Sequence, residues 1–546
     1  MKTIIAILFT FISGLIFSQD VEWYTHFDSE LRQSLRSVEV SESGEIITSI
    51  TSYGDFIPDI SNPNQKLVQT GSYGAVIGKY GEDGSHIWSF LLSNEGRTEV
   101  SDLVLDNQGN VVIIGQFNGS SAVDMDPDEG VTFFQGGNSD HSFIAKYSPE
   151  GSLIWALPYY EGAAGNHYID TDANGNIYVL SRFLGTITPY GGTESIISTG
   201  TGADAFIAKY DTDGNLLWTY SIKSDERINP SSIQIINGKV VSLVGFVDHI
   251  STGSNDYNGT HSGTNYIILT LGTDGNYERS IMFAAEANFY IVGIQPIQED
   301  YIITGRFNGS FSYNGSEMIS STDGFDAYVA RIEQNGAVKW IKTAEGVGND
   351  FMNLLGMTLD GNIELGLYFE DDVSFLDESF TSAGKFDYVI MRLSENGDLM
   401  FNQHIATSES DLINYFKSNP DGSALVIGSF RNTLDIDILN EDNSIAVTCD
   451  DDADVYFVKY RASSSPVTDV IPERNLMIYP NPSNGYIKLR SDSHQSLGQV
   501  RIYNIYGQLV HSEYSTLTSE LELNLPDHPG MYLLHASGKT IRIIRQ

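Results

Sequence analysis

The five tryptophans of this 546-residue chain keep a beat. Trp23, Trp88, Trp155, Trp218 and Trp340 stand 65, 67, 63 and 122 residues apart, and the last gap is two steps of 61. Arg279 falls on the missing beat and Phe401 on the next, so seven positions are in phase. A period of this length restricts the fold to repeated supersecondary units that bury their apolar faces against one another.

Two kinds of segment recur with the beat. The first is an apolar strand that runs through a glycine turn into the tryptophan strand: AVIGKYGEDGSHIW at 75–88, SFIAKYSPEGSLIW at 142–155, AFIAKYDTDGNLLW at 205–218 and AYVARIEQNGAVKW at 327–340. Weaker copies lie at 266–279 and 388–401. A glycine in a short turn between apolar strands marks a hairpin, because glycine tolerates positive φ at little cost. The second is a strand ending in an aromatic residue, at Tyr53, Phe117, Phe183, Phe246, Phe307, Tyr368 and Phe430. With a short apolar segment before each, such as SDLVLD at 101–106, the unit has four strands, a to d, and is present seven times.

Four antiparallel strands repeated seven times predict an all-β chain, a seven-bladed β-propeller over 19–462. The last copy, VYFVKYRA at 455–462, stops after strand c, whereas the chain opens with an orphan strand d, VEWYTHF at 21–27. Residues 21–27 are therefore expected to complete the seventh blade and remove its exposed edge. Polar inserts of unlike sequence separate strands b and c, and extra hairpins or loops are expected there on one edge of each blade. The FIAKYxxxGxxxW and DxxGNxYVxGxF-like segments resemble the bacterial β-propeller repeat called SBBP. That resemblance covers about 440 residues and implies a fold, without a chemistry.

Beyond residue 462 the character changes. SSSP at 463–466 and Pro472 mark a linker over 463–475, and 476–546 alternates apolar and polar residues as a small β-sandwich does. Three motifs follow in order: Tyr479-Pro480-Asn481-Pro482 with Gly485, then Ile502-Tyr503-Asn504-Ile505-Tyr506-Gly507, then Pro529-Gly530-Met531-Tyr532 with a basic strand to Arg545. These resemble the type A sorting domain of type IX secretion cargo in Bacteroidetes. The resemblance implies the type IX machinery as partner, outer-membrane translocation, and release or attachment at the surface. At the other end, Lys2, the apolar run from Ile4 to Phe17 and Ser18 read as a secretory signal over 1–18 cleaved at Ser18. No later segment reads as a transmembrane span.

Charge narrows the partners. Residues 476–546 carry a net +1 and Lys2 another, which leaves −43 on residues 19–475. Such a surface repels nucleic acid and anionic lipid. A single cysteine, Cys449, excludes an intramolecular disulfide, so the core must hold the fold together.

Catalytic signatures are missing: there is no HExxH, GxSxG elbow, P-loop or dinucleotide fingerprint. VDMDPDEG at 123–130 sets Asp124, Asp126 and Asp128 at alternate positions beside Glu129, a pattern that can converge on Ca²⁺ as a cofactor. Asp102, His167, Asn353 and Asn414 belong to strand a segments and are the candidates for a site in the central funnel. The basic residues of strand c (Lys79, Lys146, Lys209, Arg331, Arg392 and Lys459) recur too often for a ligand site and read as a structural charge in each unit. The sequence thus favours a secreted or surface-displayed binding or scaffold protein for a glycan, protein or surface polymer. Its alternative is an extracellular carbohydrate-active lyase or hydrolase with a funnel site. The unlike b–c inserts are the expected place of binding.

Overall fold

A computed structural model describes residues 21–461 and 476–545. It omits short breaks, the longest being 406–411, 437–444, 492–497 and three four-residue gaps after 504, 515 and 525. The signal segment with Ser18 lies outside the described residues. The fold is all-β, with no helix among the described residues. Two compact units divide the chain, residues 1–463 and 464–546.

Within the first, strand pairing groups the chain into seven antiparallel units of four strands. Unit 2 shows the pattern: a, Arg97–Leu105; b, Val111–Asn118; c, His141–Tyr147; d, Leu153–Glu161. Strands b and c are buried along nearly their whole length, whereas d alternates, as expected of an outer strand. Each strand a neighbours strand a of the following unit, from unit 1 through unit 7. Val21–Phe27 pairs antiparallel with strand c of unit 7, Asp454–Tyr460, bringing Trp23 opposite Lys459. Phe27, Val455 and Phe457 of unit 7 share an apolar cluster with Ile46, Val76 and Tyr80 of unit 1.

The beat has a physical cause. In unit 1 the Trp88 indole N–H of strand d and the Lys79 ammonium of strand c both donate to the Pro149 carbonyl, in the c–d turn of unit 2, at 2.9 and 3.3 Å. The same carbonyl is shared by Trp155 and Lys146 at Thr212, by Trp218 and Lys209 at Thr273, and by Trp340 and Arg331 at Glu395. Trp23 and Lys459 share that of Glu82, so unit 7 holds unit 1 as units 1, 2, 3 and 5 hold their successors. The turn glycine has two reasons to be glycine: Gly151 has φ 92°, and a Cβ there would stand 2.9 Å from the Trp88 ring. At the missing beat the Arg279 guanidinium donates to Gln334 in the turn of unit 5 and to the Tyr301 hydroxyl.

The strand c cation also pairs within its own unit. Lys146 meets Asp106 at 2.8 Å and Arg331 meets Asp300 at 2.7 Å with both side chains almost wholly buried, while Lys79 meets Glu45 and Arg392 meets Glu364 with one partner less covered. In units 2 and 5 the cation, Lys146 or Arg331, is thus part of a buried ion pair and also holds the neighbouring unit.

The b–c inserts form hairpins, as expected, but these lie against the preceding unit. The hairpin His249–Thr252 and Asn255–Asn258 of unit 4 adds to strand d of unit 3, and Ser310–Tyr313 with Ser316–Ser320 of unit 5 adds to strand d of unit 4. In unit 6 strands b and c simply continue past the sheet, and Phe375 pairs with Ala344 of unit 5. Elsewhere the inserts pack without pairing: Val123 and Met125 join a cluster with Phe90 and Leu92 of unit 1, and Phe56 joins Phe27 and Phe457 of unit 7. Outer strands that would present unpaired backbone are covered in this way.

The second compact unit pairs Leu476–Tyr479, Tyr486–Ser491 and Glu520–Asn524 in one sheet, and Leu509–Ser515, Gly498–Asn504, Gly530–Ala536 and Lys539–Arg545 in another. Ile487 and Leu489 from the first sheet and Val500, Ile502, Leu534 and Ile543 from the second form one apolar core.

Removing the cation from a buried pair strands its partner. Lys146→Met should lose about 3 kcal/mol in chemical denaturation, with part recovered in the Lys146→Met, Asp106→Asn double variant.

Candidate functional site

All seven a strands carry one extra residue that breaks the pairing register with strand b: Arg36, Ser101, Asn166, Ser231, Val292, Leu355 and Asn414. Such a bulge bends a strand and re-aims the side chains after it. A cavity of about 350 Å³ opens among the a strands of units 1 to 5. Glu39, Asp102, Tyr168, Asp170, Gln234 and Gln295 give it its polar wall, and Leu103, Val104, Ile169 and Ile233 are among its apolar lining.

Two of the three carboxyl groups are occupied by the fold. Asp102 accepts hydrogen bonds from the Ser37 hydroxyl of unit 1 (2.9 Å), from its neighbour Leu103 N–H (2.9 Å) and from Ile169 N–H of unit 3 (3.1 Å), tying three a strands together. Asp170 accepts from Thr171 N–H and from Ile235 N–H of unit 4. No hydrogen bond or ion pair among the described residues reaches the Glu39 carboxyl, and the residue stays partly exposed.

Burial dominates the electrostatics. It pushes Asp102 and Asp170 up to about 6 against the pull of their hydrogen-bond donors. Glu39 rises to about 8, first through burial and then through the charges of Asp102 and Asp170, with only Lys417 drawing it down. The cavity therefore gathers acids without gathering the positive charge to balance them.

Of the four expected funnel residues, only Asp102 lines the cavity. His167 is buried between the Ser142 and Ser181 hydroxyls at 3.1 and 3.0 Å, and burial lowers its pKa to about 4. It joins units 2 and 3 as a neutral imidazole. Asn353 hydrogen-bonds to the buried Tyr388, and Asn414, the bulge residue of unit 7, is exposed and accepts from Ser429 at 3.4 Å. The four do not come together. Glu39 and Asp170 escaped the sequence reading, although acids inside the strands SVEV and YIDTD are a visible signal.

The acidic loop of unit 2 folds on itself. Asp124 accepts from Asp126 N–H and Thr132 N–H, and Asp126 accepts from Asp128 N–H, which are turn-forming contacts. Glu129 lies outside the described residues, among which no three His, Cys, Asp or Glu side chains are grouped to hold a metal ion.

In the tail, Tyr479 and Pro482 are exposed, whereas Pro480, Asn481 and Gly507 lie outside the described residues. Gly485 has φ 124° and sits against the Arg545 guanidinium, which donates to the Leu525 carbonyl. Tyr503 and Gly530 lie on paired strands, and Tyr532 is buried in the core. The first and last motifs are thus brought together at the C-terminal strand.

Residues 477–546 match the family described as the secretion system C-terminal sorting domain. The protein is accordingly exported by the type IX route and is secreted or held at the cell surface. Among the described residues no helix is long and apolar enough to cross a membrane. An uncharacterized WD repeat-containing protein of Acanthamoeba polyphaga mimivirus is 26% identical over 160 residues, a stretch that covers 26% of this chain and 11% of that relative. Among solved structures, a protein of unknown function from Dyadobacter fermentans is similar at 11% identity and a TM-score of 0.31, over 66% of this chain and 93% of that one. PorZ of Porphyromonas gingivalis, an essential surface component of the type-IX secretion system, aligns over 96% of this chain and 100% of its own at 10% identity and a TM-score of 0.14.

The Glu39 carboxyl gives a pH signature. Its pKa in the folded protein lies above its ordinary value, so its contribution to stability is complete below about pH 4.5 and is lost as pH rises towards 8. Compared with Glu39→Gln, the parent protein should lose stability across that window by up to about 1.4 kcal/mol per pH unit, read from urea midpoints at each pH.

Proposed function

We propose that the seven units are the blades of a closed β-propeller over residues 19–462, joined by a linker at 463–475 to the sorting domain at 476–546. In this reading the propeller is a binding or scaffold module displayed or released outside the cell. The pairing of Val21–Phe27 with Asp454–Tyr460 is the observation that carries the closure. It is supported by the Trp23 and Lys459 bonds to Glu82 and by the Gln33 N–H to Ala453 carbonyl bond between units 1 and 7. The repeat is of the SBBP type, and the leader 1–18 and the sorting motifs are the export signals. The occupant is an extracellular glycan, protein or surface polymer, since the charge of −43 on 19–475 excludes nucleic acid.

Binding is placed at the cavity rather than on the b–c inserts, because the apolar residues of those inserts are spent on covering the neighbouring unit. Deleting residues 21–27 from the full chain should lower its melting temperature and abolish its retention on glycan and protein arrays. Unchanged melting would overturn the closure.

One observation favours the enzyme reading: Glu39 is held protonated near Asp102 and Asp170, and a protonated carboxyl beside ionised ones is what glycoside cleavage uses as general acid. Release of reducing ends from polysaccharide by the full chain, lost in Glu39→Gln, is the result that would establish an extracellular lyase or hydrolase in place of a binding protein.

A further inference from the structure

Units 2 and 3 carry the same three side chains, an aspartate, an asparagine and a lysine, at matching positions, but assemble them differently. In unit 2, Asp106 opens the turn between strands a and b, Asn110 closes it, and Lys146 reaches it from strand c, where it is paired with Val112. The Lys146 and Asp106 side chains are 4% and 1% exposed, and Asn110 is buried with them. One oxygen serves two nitrogens: Asp106 Oδ2 accepts from the Lys146 ammonium and from the Asn110 side-chain amide, each at 2.8 Å. The other oxygen accepts from the Gln108 and Asn110 N–H groups, which fixes the carboxyl.

Unit 3 shows that the turn does not need the lysine. There the Asn176 amide meets Asp172 Oδ2 at 2.8 Å as before, while the Lys209 ammonium stands 3.9 Å from that oxygen and lies over the Tyr178 ring. The Tyr178 hydroxyl takes the oxygen instead, at 2.9 Å. Unit 2 has Val112 in the place of Tyr178, each opposite the strand c lysine, so no hydroxyl competes for Asp106. An amine, a carboxamide and a carboxyl group that touches both are thus brought together in a site closed to water.

We propose that unit 2 forms an intramolecular isopeptide bond between Lys146 Nζ and Asn110 Cγ, with Asp106 as the proton carrier. Burial works to raise the Asp106 pKa, but its contacts with Asn110, Lys146 and two backbone N–H groups bring it below the ordinary value, so the resting group is a carboxylate able to accept a proton. Asp106 takes one proton from the Lys146 ammonium, and the freed amine attacks Cγ. The tetrahedral carbon expels Nδ2, which receives the proton from Asp106 and leaves as ammonia, while Asp106 takes a second proton from Nζ. One C–N bond forms, one breaks, and nothing is oxidised or reduced. Asp106 ends protonated beside a neutral amide, so a buried ion pair is discharged. One N–H remains on Nζ for the Thr212 carbonyl, which the ammonium already meets at 3.2 Å. The bond staples the a–b turn to strand c in a chain that can form no internal disulfide, and it is independent of what the cavity binds.

Peptide mapping of the purified full chain by tandem mass spectrometry, after incubation in the folded state at neutral pH, tests this. A branched peptide joining Asn110 to Lys146 is expected, lighter than its two linear parts together by one ammonia, about 17 Da. It should be absent from chain kept in urea, from Asn110→Ser, and from Lys146→Arg, which keeps a cation beside Asp106 as Arg331 does beside Asp300. Asp106→Asn should slow its formation roughly a hundredfold or more. Asn176 and Lys209 should be recovered unlinked. Recovery of Asn110 and Lys146 only in separate linear peptides from the folded chain, a link formed equally fast in folded Asp106→Asn protein, or a link at Lys209 as abundant as that at Lys146 would each overturn the proposal.

Discussion

One backbone carbonyl shared by two donors organises the first compact unit. An indole N–H and a cation from one four-stranded unit converge on the c–d turn of the next, and this happens between units 1 and 2, 2 and 3, 3 and 4, 5 and 6, and 7 and 1. Within units 1, 2 and 5 an acid of the same unit balances the cation, as Asp106 balances Lys146. The turn glycine is required both by its backbone and by the indole that lies against it. Tryptophan, lysine, aspartate and glycine are thus one device, and the spacing of any one of them reports the others.

Where the device is absent, something else holds the junction. Arg279 reaches the turn of unit 5 through a side-chain amide, and Phe401 packs against the apolar cluster shared by units 6 and 7. The b–c inserts contribute as well, by pairing with or packing on the outer strand of the unit before. Successive units are therefore joined at three levels: a strands near the cavity, shared carbonyls at the turns, and inserts over the outer edge.

Local pattern made much of this legible. Alternating apolar strands, glycine turns and the in-phase tryptophans announce an all-β chain of repeated units, and the orphan VEWYTHF finds its partner strand where the missing strand d required it. The partner of each indole was hidden, because it lies in the following unit, some sixty residues away, and is a backbone atom with no sequence signature. The cavity was harder still. His167 sits on an a strand beside Tyr168, which does line the cavity, but the extra residue at Asn166 shifts the alternation, and the imidazole turns to two serines instead. Glu39 passed unnoticed because one acid among valines reads as an outward-facing residue until neighbouring units enclose it. In the acidic loop the Asp124 and Asp126 carboxylates accept backbone N–H groups of the turn that their own spacing creates.

The pairing of the first strand with the last has a kinetic meaning. Trp23 and Lys459 approach the same turn from opposite ends of the chain, and Lys459 and Glu82 are separated by 377 residues. Contacts of such long range form late, because the chain entropy of the whole intervening segment must be lost before they return any energy. The same contacts tie Val21–Phe27, at the start of the array, to the last unit at its end, where fraying would otherwise begin. In a chain whose single cysteine excludes an intramolecular disulfide, the pairing of first strand with last stands where a cross-link would otherwise join the ends of the array.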